Sequence, residues 1–191
     1  MAHIALTDVE GQKHLHDQRF ARGAAGLAGQ KIQPFKVWLE DWQILGQANG
    51  DFPWTVQVAN TDFSLKLTLQ PEKPAVLQGK QGLSQKSSEA GNASYYYSFT
   101  RLASTGSIHY QNQDFQVTGS SWLDREWSTS ALGKDQAGWD WFSLQFKAGQ
   151  ELMFYQLHKT SGEADQAYSQ GKWIAADAST RNLSLKDVEL Q

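Results

Sequence analysis

Apolar and polar residues alternate along much of the chain, and this two-residue period is the feature that most restricts its fold. In residues 63–69 every second residue is phenylalanine or leucine and the residues between them are polar, and residues 54–58 repeat the pattern with tryptophan and valine. Side chains of a β-strand point alternately to its two faces, so each segment predicts a strand with one apolar face. The short segment 59–62 between them predicts a turn, and therefore a β-hairpin.

The same pattern predicts most of the remaining strands. They fall at residues 35–45, 93–102, 107–110, 115–123, 139–146, 152–158 and 183–190. Short segments such as Ser104-Thr105-Gly106 separate several of them and predict turns. Only residues 19–27 are helix-like, and residues 78–91 and 128–137 are predicted loops. A sheet of this kind closes into a barrel or packs as a sandwich to protect its edges, so we predict an all-β, antiparallel fold.

Charge and composition exclude several classes of function for this chain of 191 residues. The net charge is −3 and the basic residues are scattered, which argues against nucleic-acid binding. No apolar run is long enough to span a bilayer. The chain has no cysteine, so disulfides, zinc–thiolate clusters and thiol nucleophiles are excluded. The first residues lack the basic and apolar regions of a secretory signal.

The sequence also predicts no cofactor and no metal. It contains no G-x-G-x-x-G or Walker A loop for a nucleotide, and no G-x-S-x-G motif for a serine nucleophile. His14 and His16 share one face of an extended segment, but no third ligand can be named from the sequence.

Half of the 8 tryptophans lie in one short region together with three carboxylates. The region contains Trp122, Asp124, Glu126, Trp127, Trp139, Asp140 and Trp141. In an extended strand Trp122, Asp124 and Glu126 share one face. Aspartate is unfavourable inside a strand, and neighbouring indoles would desolvate it, raise its pKa and allow it to act as an acid. In the alternative interpretation the tryptophans form the core, and the carboxylates cap turns or pair with Arg125 and Arg101.

Three consecutive tyrosines form a second aromatic patch. Tyr95 and Tyr97 share one face of the predicted strand, and Tyr96 lies on the other. Such a patch packs against neighbouring elements with exposed hydroxyls, or it forms a ligand wall that offers hydroxyl donors. The sequence is compatible with both interpretations.

Three segments resemble the carotenoid 1,2-hydratase (hydroxyneurosporene synthase) superfamily, namely GNASYYYS at 91–98, WLDREWS at 122–128 and GWDWFSLQ at 138–145. Within it the chain is most similar to the AttH-like branch of secreted proteins, which are often encoded beside ABC-transporter components. The resemblance implies two lipocalin-like β-barrels in tandem, in proteins nearly twice this length. We therefore expect an internal piece, with residues 1–130 as most of a first barrel and residues 131–191 as the opening strands of a second. It would be periplasmic or secreted if a signal peptide has been lost, and otherwise cytoplasmic.

The hydratase branch adds water to a terminal alkene without an organic cofactor. Its aromatic-x-Asp motif matches Trp122-Leu123-Asp124, which implies that Asp124 is the proton donor. Trp122 with Tyr95 or Tyr97 would then stabilise the carbocation by cation–π contacts. The aromatic residue of the motif is commonly tyrosine in hydratases, and the upstream His-x-Trp-like pair falls near Tyr95 and Tyr97, which match neither residue type.

The sequence is therefore compatible with three functions. The first is binding of an apolar ligand, a lipid or isoprenoid, with ABC-transporter components as partners. Its predicted ligand-binding residues are Trp122, Trp127, Trp139, Trp141, Glu126 and Asp140. The second is an alkene hydratase with Asp124 as acid. The third is a carbohydrate-active protein, which requires two carboxyl groups facing one open groove.

Overall fold

A computed structural model of the protein describes residues 1–130 and 132–190, and within these residues all regular secondary structure is β-strand. The strands are β1 (Ala2–Asp8), β2 (Lys13–Arg19), β3 (Ala28–Lys31), β4 (Lys36–Leu39), β5 (Trp42–Leu45), β6 (Trp54–Ala59), β7 (Phe63–Pro71), β8 (Val76–Leu77), β9 (Leu83–Gln85), β10 (Ala93–Tyr110), β11 (Gln113–Ser128), β12 (Gln136–Gln145), β13 (Glu151–Lys159), β14 (Gln170–Ile174) and β15 (Thr180–Ser184). The described residues include no helix that is long and apolar enough to cross a bilayer. The predicted all-β fold is confirmed.

The chain forms two compact units, and each unit combines two segments. Unit 1 contains residues 1–71 and 103–120, and unit 2 contains residues 72–102 and 121–191. The long strands β10 and β11 contribute residues to both units. The sequence predicted a division between residues 130 and 131, and Ala131 lies outside the described residues. That division of the longer protein into barrels stays a prediction.

Unit 1 contains the predicted hairpin. Strands β6 and β7 pair antiparallel, with Val56 opposite Leu67 and Trp54 opposite Leu69. Neighbouring strands extend the sheet in the order β11-β10-β7-β6-β5-β4-β3, and β1 pairs with β2 in a separate hairpin. Trp42, Trp54 and Phe63 are buried, as expected for the apolar face of these strands. The two-residue period was therefore sufficient to predict strands β6 and β7 and their pairing.

Two predictions in the first segment of unit 1, residues 1–71, are wrong. Residues 35–45 form two strands instead of one, because the chain turns at Glu40, whose φ is +57°, and Leu39 then pairs with Trp42. Residues 19–27 form no helix. Strand β2 ends at Arg19, and the following residues are mainly bends and turns, with Gly26 at φ +72°. Glycines in this segment favour such turns over a helix.

Strand β10 passes through the predicted turn at residues 104–106. Gly106 allows the two neighbouring strands to approach closely here, because any side chain would place a Cβ atom 2.0 Å from the backbone oxygen of Lys66. The predicted strands 93–102 and 107–110 are consequently one strand. The chain reverses instead at Gln111 and Asn112, whose φ values are +53° and +58°. Positive φ at both central residues is typical of a two-residue hairpin turn.

Unit 2 contains a four-stranded antiparallel sheet in the order β12-β13-β14-β15, while β8 and β9 pair with the first part of β10. Met153, Phe154 and Leu157 of β13 are almost completely buried and form much of its core. The predicted strand 183–190 is wrong beyond Ser184, because the Asp187 carboxylate accepts hydrogen bonds of 2.9 Å from the Ser184 backbone NH and hydroxyl. These bonds turn the chain out of the strand.

Candidate functional site

The first part of β10 presents a polar, buried face within unit 2. Ser94, Tyr96 and Ser98 are each at most 2% exposed, whereas Tyr95 on the opposite face is 59% exposed. Alternation along an extended strand produces this contrast. Small serines beside a large tyrosine leave space on the buried face for groups from a neighbouring strand.

Two carboxylates of β11 occupy that space. The Ser98 hydroxyl donates a short hydrogen bond to Asp124 Oδ1, and the Ser94 hydroxyl donates one to Glu126 Oε1. Trp122 Nε1 donates to the same Asp124 oxygen at 2.9 Å. The prediction that Trp122, Asp124 and Glu126 share one face agrees with these contacts to the buried serines of β10.

Asp124 combines partial burial with several hydrogen-bond donors. Burial raises the pKa of its carboxyl above the ordinary 3.8, and the nearby Glu126 charge adds to the increase. Hydrogen bonds from Ser98, Trp122 and Tyr96 favour the ionised form and oppose the shift. Behind Ser98, the fully buried Gln78 donates from Nε2 to the Ser98 hydroxyl at 2.9 Å. Asp124 is thus held in one orientation, with its protonated form stabilised relative to water.

Tyr96 joins Asp124 to a cavity in unit 2. Its hydroxyl hydrogen-bonds the Asp124 carboxyl and accepts a hydrogen bond of 3.2 Å from Trp141 Nε1. Burial, followed by the negative charge of Asp124, raises the pKa of the Tyr96 hydroxyl far above its ordinary value. The hydroxyl therefore stays protonated and can donate its hydrogen.

The cavity beside Tyr96 has a volume of about 420 Å³. It is lined by Lys86, Tyr96, Glu126, Trp127, Ser128, Ser130, Trp139, Trp141, Tyr155 and Leu157. The register of β12 and β13 explains the aromatic wall, because Trp139 pairs with Leu157 and Trp141 pairs with Tyr155. Tyr155 and Leu157 are buried, whereas the Trp139 and Trp141 side chains remain 53% and 42% exposed. Large apolar side chains are therefore accessible to a ligand from solvent.

One part of the cavity wall is charged. Lys86 Nζ lies 3.0 Å from Glu126 Oε1 and 4.0 Å from the centre of the Tyr155 ring. The Tyr155 hydroxyl is held in turn by Ser84 at 2.8 Å and by Gln170 at 2.7 Å. The cavity thus combines aromatic surface with an ion pair.

Several predicted site residues lie elsewhere. Tyr95 and Tyr97 are on the face of β10 opposite Asp124, where their rings contact Trp127 at centroid distances of 5.7 and 6.2 Å. Trp127 therefore contacts Tyr95 and Tyr97 and also lines the cavity. Asp140 does not line the cavity, and its Oδ2 lies 2.8 Å from His158 Nε2. The structure therefore does not bring Tyr95, Tyr97 or Asp140 to Asp124.

The alternative interpretation paired the carboxylates of this region with Arg125 and Arg101, but Arg101 pairs with a different carboxylate. Arg101 Nε pairs with Glu151 Oε1 at 2.5 Å, while Glu126 pairs with Lys86. The tryptophans fall into two groups. Trp122 packs against the core that contains Tyr96 and Met153, whereas Trp127, Trp139 and Trp141 line the cavity. Trp122 supports Asp124 from the core rather than from the cavity wall.

Sequence reasoning missed Lys86 and Tyr96, which lie outside β11 and reach the site from other segments of unit 2. Lys86 comes from a predicted loop without periodicity, and nothing in the sequence indicates that it faces Tyr155. Tyr96 could have been found, because it shares its strand face with Ser94 and Ser98. Among the described residues no group of three or more His, Cys, Asp and Glu side chains is placed to hold a metal ion. The His14 and His16 rings lie 6.2 Å apart, and His14 Nδ1 is hydrogen-bonded with Thr7 at 2.8 Å.

Two solved structures are similar to this chain. A crystal structure described as an AttH protein from Nitrosomonas europaea is 35% identical, with a TM-score of 0.85, and the match covers 95% of this chain and 56% of that one. Kievitone hydratase from Nectria haematococca is 13% identical, with a TM-score of 0.74, and the match covers 95% of this chain and 54% of the hydratase. The chain therefore spans about half the length of these solved relatives.

These likenesses confirm the predicted lipocalin-like β-fold, and at 13% identity the hydratase shows the fold alone. A search of curated proteins gives no significant match. A family model described as AttH-like matches residues 1–191, which is the whole chain. Since both the family model and the 35% identical AttH structure extend over nearly all of its residues, the chain belongs to the AttH-like family.

Proposed function

We propose that this protein binds an apolar ligand, a lipid or an isoprenoid, in the aromatic cavity of unit 2. The observation that carries the proposal is the exposure of Trp127, Trp139 and Trp141 around a cavity of about 420 Å³. Indoles of the core would be buried, and clustered exposed apolar side chains commonly mark a binding site. The volume falls within the range of small-molecule sites, about 300–1,000 Å³.

Fluorescence of the cavity indoles tests this proposal. We expect a panel of lipids and polyenes to change the tryptophan emission, and Trp139→Ala to weaken binding at least about fivefold, because truncating an aromatic anchor costs about 1 kcal/mol or more. Trp173→Ala is the matched control, since Trp173 contacts Phe146 and does not line the cavity. Unchanged emission with every ligand, or equal affinity loss in both variants, would contradict the proposal.

A second candidate function is hydration of an alkene, and the hydrogen bonds between Asp124, Tyr96 and Trp141 favour it. Protonated Asp124 would pass a proton to the Tyr96 hydroxyl as that hydroxyl protonates the alkene. The carbocation would lie against the indoles of the cavity, which stabilise it by cation–π contacts. Water would then bond to the cationic carbon, and its proton would return to the Asp124 carboxylate through Tyr96.

Two substitutions separate hydration from binding alone. Asp124→Asn keeps the oxygen that accepts from Ser98 and Trp122 but cannot supply the proton, so turnover of an alkene should be lost while affinity is retained. Tyr96→Phe should reduce turnover in the same way, because the ring remains and the connecting hydroxyl is removed. Full activity of Asp124→Asn would exclude Asp124 as the acid.

The carbohydrate alternative has less support. It requires two carboxyl groups facing one groove, and among the described residues Glu126 is the only carboxylate that lines the cavity. Association with ABC-transporter components and a periplasmic or secreted location belong to the proposal for the longer protein. Affinity capture of transporter subunits by the full-length protein tests the first, and cell fractionation tests the second.

A further inference from the structure

We propose that the cavity selects apolar ligands that end in a neutral hydroxyl group, and that Lys86 and Glu126 together bind this hydroxyl. The inference rests on the proposed ligand binding and specifies the chemical class of the ligand. Both side chains line the cavity, and they form its ion pair, with 3.0 Å between Nζ and Oε1. The aromatic wall would hold the apolar part of the same molecule.

The position of Lys86 is unusual for a surface ion pair. Its side chain is only 11% exposed, and its ammonium lies 4.0 Å from the centre of the Tyr155 ring. A charged group with so little contact with water needs polar partners, and the π face of Tyr155 supplies part of this requirement. A ligand oxygen entering the cavity would supply another partner.

Glu126 provides the complementary acceptor. Its Oε1 receives a hydrogen bond from the Ser94 hydroxyl and faces Lys86, which fixes the orientation of the carboxylate. A carboxylate can accept about four hydrogen bonds, so Glu126 retains capacity for a ligand donor. Its side chain is 38% exposed, so the cavity opening gives access to it.

The balance of charge decides which polar group fits. Because Lys86 and Glu126 balance each other's charge, a ligand carboxylate would be attracted to Lys86 but repelled by Glu126, and a ligand ammonium would be attracted to Glu126 but repelled by Lys86. A hydroxyl can accept from the ammonium and donate to the carboxylate at the same time. A group without a donor or acceptor would desolvate the ion pair without replacing its contacts with water.

Four ligands with the same decyl chain test this selection, namely 1-decanol, decyl methyl ether, decanoate and decylammonium. We expect wild-type protein to bind 1-decanol about tenfold more tightly than the ether, which lacks the donor, and more tightly than either ion. Affinities are measured by tryptophan fluorescence, with the alcohol and the ether below their solubility limits and the two ions below their critical micelle concentrations. Failure of all four to bind would overturn the proposed ligand binding itself. Equal binding of alcohol and ether, or tightest binding of decanoate, would overturn only the hydroxyl selection.

Charge variants provide a readout that a merely structural role would not give. Glu126→Gln leaves the Lys86 charge unbalanced, so preference should shift towards decanoate, whereas Lys86→Met should shift it towards decylammonium. Glu163→Gln, at an exposed position outside the cavity, should leave the order of affinities unchanged. Near-UV circular dichroism checks the fold, and Glu126→Gln suffices if Lys86→Met does not fold. An order unchanged in Glu126→Gln would contradict the inference.

Discussion

Replacing Glu151 by glutamine should destabilise unit 2 more than any exposed substitution. The Glu151 side chain is completely buried, with Oε2 2.8 Å from Lys73 Nζ and Oε1 2.5 Å from Arg101 Nε. Lys73 also donates to the backbone oxygens of Gly149 and Ala175, at 2.5 and 2.7 Å. One carboxylate thus connects the segment 72–102 to strands of the second segment of unit 2.

The expected loss follows from the charges left behind. Removing one partner of a buried ion pair costs about 3–5 kcal/mol, because the remaining charge is uncompensated. Glutamine keeps one acceptor oxygen and the Arg101 side chain is 19% exposed, so we expect a loss near the lower end, about 3 kcal/mol.

Urea unfolding followed by tryptophan fluorescence measures this loss, with the slope m held common to both proteins. The control Glu163→Gln, at an exposed position, should remain within about 0.5 kcal/mol of wild type. A loss below about 1 kcal/mol for Glu151→Gln would show that the buried carboxylate does not organise unit 2.

Further predictions concern Asp124 and Gly106. Because the folded-state pKa of Asp124 is raised above its ordinary 3.8, the folded protein binds this proton more tightly, and the stabilisation is lost as pH rises through the raised pKa. Wild type should therefore lose stability relative to Asp124→Asn as pH increases from below 3.8. Melting temperatures of both proteins across a pH series test this, and a difference between them that does not change with pH would refute it. Gly106→Ala should destabilise unit 1 by about 1–3 kcal/mol, since its Cβ would meet the Lys66 backbone oxygen at 2.0 Å, and wild-type urea resistance would refute it.

The sequence was sufficient to predict those strands whose apolar residues alternate regularly. Residues 54–58 and 63–69 alternate without interruption, and they form the hairpin β6–β7 in the expected register. Turns depend on single residues that the pattern does not distinguish. The chain reverses at Glu40 within an apparently continuous strand, yet it passes straight through Gly106 because a close backbone contact requires glycine there.

The candidate site was predictable along one strand but not between strands. Alternation placed Trp122, Asp124 and Glu126 on one face, which agrees with their hydrogen bonds and contacts. Alternation also separated Tyr96 from Tyr95 and Tyr97, but it cannot specify which face meets Asp124, since a shift of one residue exchanges the faces. Lys86 reaches Glu126 through tertiary structure, and no local pattern carries that information.

Mass spectrometry of apolar molecules that co-purify with the full-length protein tests the central claim most directly. Wild type and Trp139→Ala are purified in parallel, with Trp173→Ala as the control for a substituted indole outside the cavity. The proposed binding function predicts a lipid or isoprenoid that co-purifies with wild type and the control and is strongly reduced in Trp139→Ala. Absence of any apolar molecule from wild type, or equal amounts in all three proteins, would contradict it.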